Sequence, residues 1–301
     1  MCDVLVALAA ATDLGATLFA KNSDRPPQER QVVEWSPPRG DTAAVQCTHV
    51  PVPPHAADTL ACVLSRPEWC WGAEHGVNEA GVAVGNTTVF TTLDPRSFPP
   101  ALTGMDLVRL ALERAATAAA AVELITGLIE SVGQGGSGHD PLVAPLGRPY
   151  WNAFLVADPV TAYVIDTSGR EWAAEEVTAA TGGRAISNRT SIPAFDAAHR
   201  HPRQPVDRLV NPRWHASQRV LAARPVKVES LVAHLRSHDT YGDPGWSVCM
   251  HVEGVETTTS SMVAVLRANG ASEIWALTGS PCEREYTRFG FADAARQLPL
   301  R

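Results

Sequence analysis

The chain has 301 residues, 45% hydrophobic and 19% charged, with a net charge of −7 and a pI near 5.8. That length buries a large core, as one large domain or two modest ones, and the composition is that of an ordinary soluble globular protein. The acidic balance argues against a nucleic-acid binder, which would present a basic surface, and no run approaches the ~18 apolar residues of a membrane span.

Cys2 follows Met1 and opens an apolar, β-branched run through Ala9, which predicts a strand. Thr12-Asp13-Leu14-Gly15 supplies a turn, and a second strand resumes at Ala16–Ala20, ending in Lys21-Asn22-Ser23-Asp24-Arg25-Pro26. In an antiparallel pair joined by a short turn, the end of the second strand lies beside the start of the first. Lys21, Asn22 and Asp24 are therefore expected next to Cys2. Residues 37–58 are rich in Pro and His and read as irregular surface structure.

A short strand is expected at Leu60–Leu64 and another at Val82–Val84, with Asn86 just past its end. Trp69 and Trp71, between them, suit either a pocket wall or core packing. Leu107, Leu110 and Ala111 recur at helical spacing behind Thr103, a candidate N-cap, and a second helix should cover about 117–131. Gly133 to Gly138 lacks the Gly-Lys-Ser/Thr of a phosphate loop and reads as a helix-terminating loop.

Strands return at 151–157, 162–167 and 185–187, the last followed by Asn188. Residues 190–215 lack periodicity and read as a long loop with helical turns; the arginines at 200, 203, 208 and 213 suit a solvated loop. A helix near 229–237 precedes strands at 247–251, 261–266 and 273–277. With no internal repeat and no linker, this order suits an α+β layered fold with antiparallel sheets better than a βαβ arrangement.

The six cysteines are dispersed, with no C-x-x-C pair, and reduced thiols in a cytoplasmic protein are expected. The N-terminus lacks a secretory leader pattern. Zinc ligation is not expected, because the ten histidines show neither H-E-x-x-H nor paired ligand spacing. Cys249 and Cys282 read as buried apolar fillers, and no cofactor is implied.

Cys2 stands apart. Removal of Met1 would leave one residue carrying a thiol and a free α-amine, which titrates near pH ~8. Such an amine activates its own side chain as a nucleophile.

The stretches Phe19 to Pro26, Trp71-Gly72-Ala73-Glu74-His75-Gly76-Val77-Asn78-Glu79, Gly104 to Arg114, Gly133 to Gly136, Ile186-Ser187-Asn188, Val248 to His251, Thr258 to Val263 and Thr278 to Cys282 run in order over nearly the whole chain. Together with Cys2-Asp3, they resemble the secernin and bacterial dipeptidase family of N-terminal nucleophile hydrolases, with bile-salt hydrolases and penicillin V acylases as more distant relatives. The resemblance implies a four-layer αββα sandwich with two mainly antiparallel sheets, formed by a single domain over 1–301. It implies loss of Met1 and hydrolysis of an amide bond, most readily in a dipeptide. The open alternatives are an acylase or acyltransferase on the same scaffold, or a non-catalytic interaction protein.

On this reading Cys2 is the nucleophile and Lys21 favours its thiolate. Asp24 orients the α-amine, and Asn86 and Asn188 donate to the oxyanion. Asn22, Trp71 and Asn78 are assigned to substrate binding. Lys21 stands where the distant relatives have Arg, and Thr87-Thr88 replaces the Glu common after Asn86, a change expected to alter recognition of a substrate amine. The only partner expected is a small-molecule or dipeptide substrate, without nucleic acid or membrane; a homo-oligomer stays open.

Overall fold

The computed structural model describes residues 1–301 except 41–42, 56, 205, 240–243 and 301. Two seven-stranded antiparallel sheets dominate it. The first has the order Gly183–Ile186, Cys2–Ala7, Thr17–Arg25, Glu256–Leu266, Glu273–Thr278, Thr287–Gly290, with the short strand His251–Val252 paired to Glu256–Leu266. The second has the order Glu171–Glu176, Ala162–Ser168, Trp151–Ala157, Ala83–Val89, His75–Asn78, Cys62–Pro67, Gln31–Ser36.

Successive strand residues point to opposite faces, and the N-terminal hairpin uses both. Val4, Val6 and Phe19 turn toward the second sheet, where they meet Val63, Val77 and Leu155 in the central core. Leu5, Ala7, Leu18 and Ala20 turn the other way, onto Leu221, Leu231 and Leu235 of the helices Asn211–Ala222 and Val228–Leu235. The far face of the second sheet is covered by Gly104–Arg114 and Ala118–Ser131 through Leu107, Leu110, Ile125 and Ile129. The layers are thus helix, sheet, sheet, helix, as expected. Thr103 caps the first of these helices: its Oγ1 accepts from the Asp106 N–H, and Asp106 Oδ2 accepts from the Thr103 N–H, a capping box.

Four expectations are corrected. The second strand runs on to Arg25, so the polar run lies within the strand and not after it. Its polar side chains are tolerated because partners lie on both sides, as described below. Asn86 is inside Ala83–Val89 and not beyond its end. Residues 190–215, of which 205 lies outside the described residues, hold the helix Pro193–His199 and the start of Asn211–Ala222. The irregular reading of 37–58 gains two short paired strands, Val45–Gln46 and Pro51–Val52, while 41–42 and 56 lie outside the described residues.

Candidate active site

Sheet pairing assembles this site from distant segments. Val4 pairs with Ile186, and the same antiparallel register continued two residues brings Cys2 opposite Asn188. The Cys2 backbone N–H donates to Asn188 Oδ1 at 3.0 Å. On the other side Cys2 pairs with Ser23, and the Asp24 N–H donates to the Met1 carbonyl at 2.9 Å.

Asp24 Oδ1 accepts from Thr258 Oγ1 at 2.7 Å. Its Oδ2 is buried and has no hydrogen-bond partner among the described residues. Burial pushes this carboxyl up to about 7, against the pull of the N-terminal ammonium and Arg213. The Met1 ammonium donates to the Glu256 carboxylate and, at 3.0 Å, to the Asp24 carbonyl. Burial is the largest single influence and disfavours that ammonium, but Glu256, Cys2 and Asp24 together outweigh it and raise the pKa.

Alternation sorts the second strand. Lys21 and Ser23 share Phe19's face and enter the space between the sheets, the face Cys2 shares with Val4 and Val6. Lys21 Nζ donates to Ser23 Oγ at 2.9 Å and lies 3.9 Å from Glu74; Ser23 Oγ also meets His75 Nδ1 at 3.2 Å. Gly85 makes room for this chain, since a Cβ there would lie 2.9 Å from Lys21 Cδ and 3.0 Å from Phe19. Burial raises the Cys2 thiol pKa and Lys21 pulls it back, so the lysine reduces a penalty without reversing it. Glu74 resists the burial that would neutralise it because Arg25, at 3.1 Å, and Lys21 hold its carboxyl low.

Asn22 falls on the opposite face. Its Nδ2 donates to the carbonyls of Leu235 and Val248, and its Oδ1 accepts from Ser261, which consumes the side chain in tying the sheet to a helix. Asn78 likewise donates to the carbonyls of Leu112 and Ala115 and accepts from the N–H groups of Ala80 and Val82, closing a turn against a helix end. Trp71 lies under the Arg109 guanidinium, 4.3 Å from the ring centroid, and packs with the helical core. The structure does not bring Asn22, Trp71 or Asn78 to the cavity beside Cys2, and their substrate-binding assignment is corrected accordingly.

That cavity has a volume of 790 Å³; Met1, Cys2, Asp24, Asn86, Tyr150 and Glu256 are among the residues lining it. Asn86 Nδ2 donates to Asn152 Oδ1 at 3.0 Å, and Asn188 Nδ2 donates to the Thr88 carbonyl at 3.0 Å. In Asn188 the amide oxygen, not the NH₂, is the group facing the Cys2 nitrogen.

Arg213 is the residue that sequence reasoning missed. Far from a solvated loop, it is 1% exposed within Asn211–Ala222. Its Nη1 donates to Asp3 Oδ2 at 2.6 Å and its Nη2 to Asn188 Oδ1 at 2.9 Å. The available signal was Asp3 itself. An acid in an apolar, doubly covered strand calls for either a buried cation or a retained proton. Glu256, which meets the Met1 ammonium, was also unmarked.

No family model matches the chain. Among solved structures it is similar to penicillin V acylase from Agrobacterium tumefaciens, at 12% identity and a TM-score of 0.59 over 99% of this chain and 89% of that one. It is also similar to the C2A mutant of conjugated bile acid hydrolase from Clostridium perfringens, at 11% identity and a TM-score of 0.52 over 100% and 98%. The fold is therefore that of the N-terminal nucleophile hydrolases, shared over the whole described chain. Among the described residues no helix is long and apolar enough to cross a membrane.

Proposed function

We propose that the chain is an amide hydrolase that uses Cys2 after loss of Met1, and that its substrate is a dipeptide with a free α-amine. The observation that carries this reading is the Cys2 backbone nitrogen, fixed 3.0 Å from Asn188 Oδ1 at the edge of the cavity. Once Met1 is gone that nitrogen is an α-amine. It takes the thiol proton as Sγ attacks the substrate carbonyl, and returns it to the departing amine as the C–N bond breaks. The resulting thioester is then hydrolysed by water. That Asp24 Oδ2 is buried and unpartnered supports a role for it in holding the amine as it gains the proton. Asn86, on the cavity wall, has a second amide hydrogen for the oxyanion, whereas Asn188 acts through its amide oxygen on the Cys2 nitrogen.

Glu256 supports the substrate class. It already holds an α-ammonium, that of Met1, one residue from the thiol. With Met1 removed, the same carboxylate faces the same cavity and suits the α-ammonium of an incoming dipeptide. It would fill the role of the Glu missing after Asn86. Arg96, Arg148 and Arg203, on the cavity wall, suit the opposite carboxylate. We take the enzyme to be a single cytoplasmic domain that acts on a small-molecule or dipeptide substrate, as a monomer or a homo-oligomer.

A second reading, an acylase for apolar acyl groups, draws on Phe90 and Val255, which stand 45% and 47% exposed on the same cavity. Intact mass and iodoacetamide mapping test the nucleophile: Met1 absent and Cys2 alkylated ahead of the other five cysteines is the expected result. A retained Met1 and an inert Cys2 would favour a non-catalytic scaffold instead. Free dipeptides, their N-acetyl forms and N-acyl amino acids then separate the substrates. Cleavage of the free dipeptides alone, abolished by Cys2→Ser, is expected; cleavage of N-acyl amino acids alone selects the acylase.

A further inference from the structure

Away from the Cys2 nitrogen, a second cluster of chemistry-bearing groups is drawn together by the fold. The donor atoms of His238, Cys249, His251 and Cys282 all lie within 4.8 Å of one another. His251 Nε2 stands between the sulfurs, 3.4 Å from Cys249 Sγ and 3.2 Å from Cys282 Sγ. The His238 and His251 rings meet edge to face, with centroids 5.0 Å apart. We propose that these four side chains form a tetrahedral binding site for a zinc ion.

The geometry suits that ion. Zinc binds thiolate sulfur at about 2.3 Å and imidazole nitrogen at about 2.0–2.1 Å, so adjacent ligands at a tetrahedral centre are about 3.3–3.8 Å apart. The two nitrogen–sulfur separations fall at or just under that range. A small outward movement opens the centre without rebuilding the backbone. Two thiols and two imidazoles are also the donor set that selects zinc over the harder oxygen-seeking cations. Each bound ion would displace the two thiol protons, and two thiolates leave the loaded site neutral.

The surrounding backbone is organised to hold the four residues. The Cys249 N–H donates to the Ser237 carbonyl at 3.0 Å, which fixes the residue before His238. The His251 N–H donates to the Gly245 carbonyl at 2.9 Å. Gly245 has φ +83°, and a Cβ there would lie 2.3 Å from the His251 carbonyl, so only glycine permits the approach. Cys282 arrives from the connection after Glu273–Thr278, where Ser280 Oγ donates to the Thr258 carbonyl at 2.9 Å. His238 and Cys282 are exposed and give an ion its route in, whereas Cys249 is fully buried. No contiguous motif marks such a site, because only Cys249 and His251 are near neighbours in sequence. The reading of Cys282 as a buried filler is corrected by its exposure.

The site also braces Asp24. Met250 lies between two of the ligands, and its N–H donates to Thr258 Oγ1 at 2.8 Å; that same hydroxyl donates to Asp24 Oδ1 at 2.7 Å. A zinc ion clamping Cys249 and His251 would fix Met250 and, through Thr258, the Asp24 carboxylate.

The test is a titration of the full-length, chelator-stripped and thiol-reduced protein with Co²⁺, then Zn²⁺. One equivalent of Co²⁺ should give a thiolate-to-metal charge-transfer band in the near ultraviolet and intense tetrahedral bands in the visible, both erased by Zn²⁺. Cys249→Ser and the exposed Cys282→Ser should each remove the charge-transfer intensity in whole or in large part. His238→Ala should weaken binding at least tenfold, and Cys2→Ser should leave the spectrum unchanged. The proposal is overturned by a reduced protein that shows no such spectrum, or by a spectrum that survives both cysteine changes. Loss of the spectrum in Cys2→Ser would also overturn it, because the ion would then sit at the nucleophile. Mass spectrometry that finds only a Cys249–Cys282 disulfide, and no metal uptake after reduction, overturns it as well.

Discussion

The amide oxygen of Asn188 lies 3.0 Å from the backbone nitrogen of Cys2 and takes a second hydrogen bond from Arg213 at 2.9 Å. Under the proposed function, once Met1 is removed, a neutral acceptor at that point leaves the Cys2 α-amine free to cycle between its two protonation states. Asn188→Ala should lower kcat about 100-fold, the scale of a misplacement of about 1 Å at a reacting group. Asn188→Asp should act differently. A carboxylate beside the α-amine favours the ammonium, so the acid limb of the pH–rate profile should move to higher pH. Rates for both variants from acid to alkaline pH decide this; an unshifted limb in Asn188→Asp argues against the α-amine as base.

Arg213 and Asp3 form an ion pair at 2.6 Å in which both partners are almost wholly buried. Removing the cation alone leaves an uncompensated charge, and Arg213→Ala should cost about 3–5 kcal/mol in urea unfolding. Arg213→Lys should not restore the lost stability, because a point charge cannot reach Asp3 and Asn188 together as the forked guanidinium does. Replacing the pair as Asp3→Asn with Arg213→Met should recover much of the loss. A double variant no more stable than Arg213→Ala would place the energy outside the pair.

The hairpin logic from which the site was expected follows directly from periodicity. Cys2, the turn at Thr12–Gly15 and the return of Lys21 to Asp24 are all set by one short antiparallel pair. What it left open was the face. Apolar residues on both sides of the strand gave no polar–apolar alternation to show that Lys21 turns toward the second sheet while Asn22 turns toward the helices. Asn188 was legible as a polar residue after a strand, but its partner Arg213 is 25 positions further on. That contact depends on how a helix docks, which no local pattern encodes. The His238, Cys249, His251 and Cys282 cluster was hidden for the same reason.

Asp24 carries a pH dependence that can be separated from catalysis. Burial raises its pKa from 3.8 to about 7 in the fold. The folded protein therefore keeps a proton that the unfolded chain loses between about pH 4 and pH 7. Asp24's contribution to stability is full below that window and is lost as the pH rises through it. At about 1.4 kcal/mol per pKa unit, the loss is at most about 4 kcal/mol. Asp24→Asn should abolish this fall and destroy activity at every pH. Urea midpoints for parent and variant across the window check it. Parallel curves would mean that Asp24 is ionised in the fold throughout.

His234 should show the opposite slope. It is buried at the contact of two helices, where its Nε2 meets Ser217 Oγ at 2.9 Å, and burial lowers its pKa from 6.5 to about 4. Here the unfolded chain binds the extra proton. Stability from this residue is complete above about pH 6.5 and declines as the pH falls toward about 4. The loss is about 3 kcal/mol, from about 1.4 kcal/mol per pKa unit. Gln at 234 keeps a hydrogen-bonding end for Ser217 but does not titrate. His234→Gln should therefore be somewhat less stable than the parent at neutral pH and lose less on acidification, so the two unfolding curves converge as the pH drops. Because His234 and Ser217 lie on the helices behind the N-terminal hairpin, the acid-sensitive step should expose Trp214, whose indole N–H donates to the Ala185 carbonyl at 2.9 Å in the native state. A red shift of tryptophan emission that appears at the same acid midpoint in parent and His234→Gln would assign the transition to other groups.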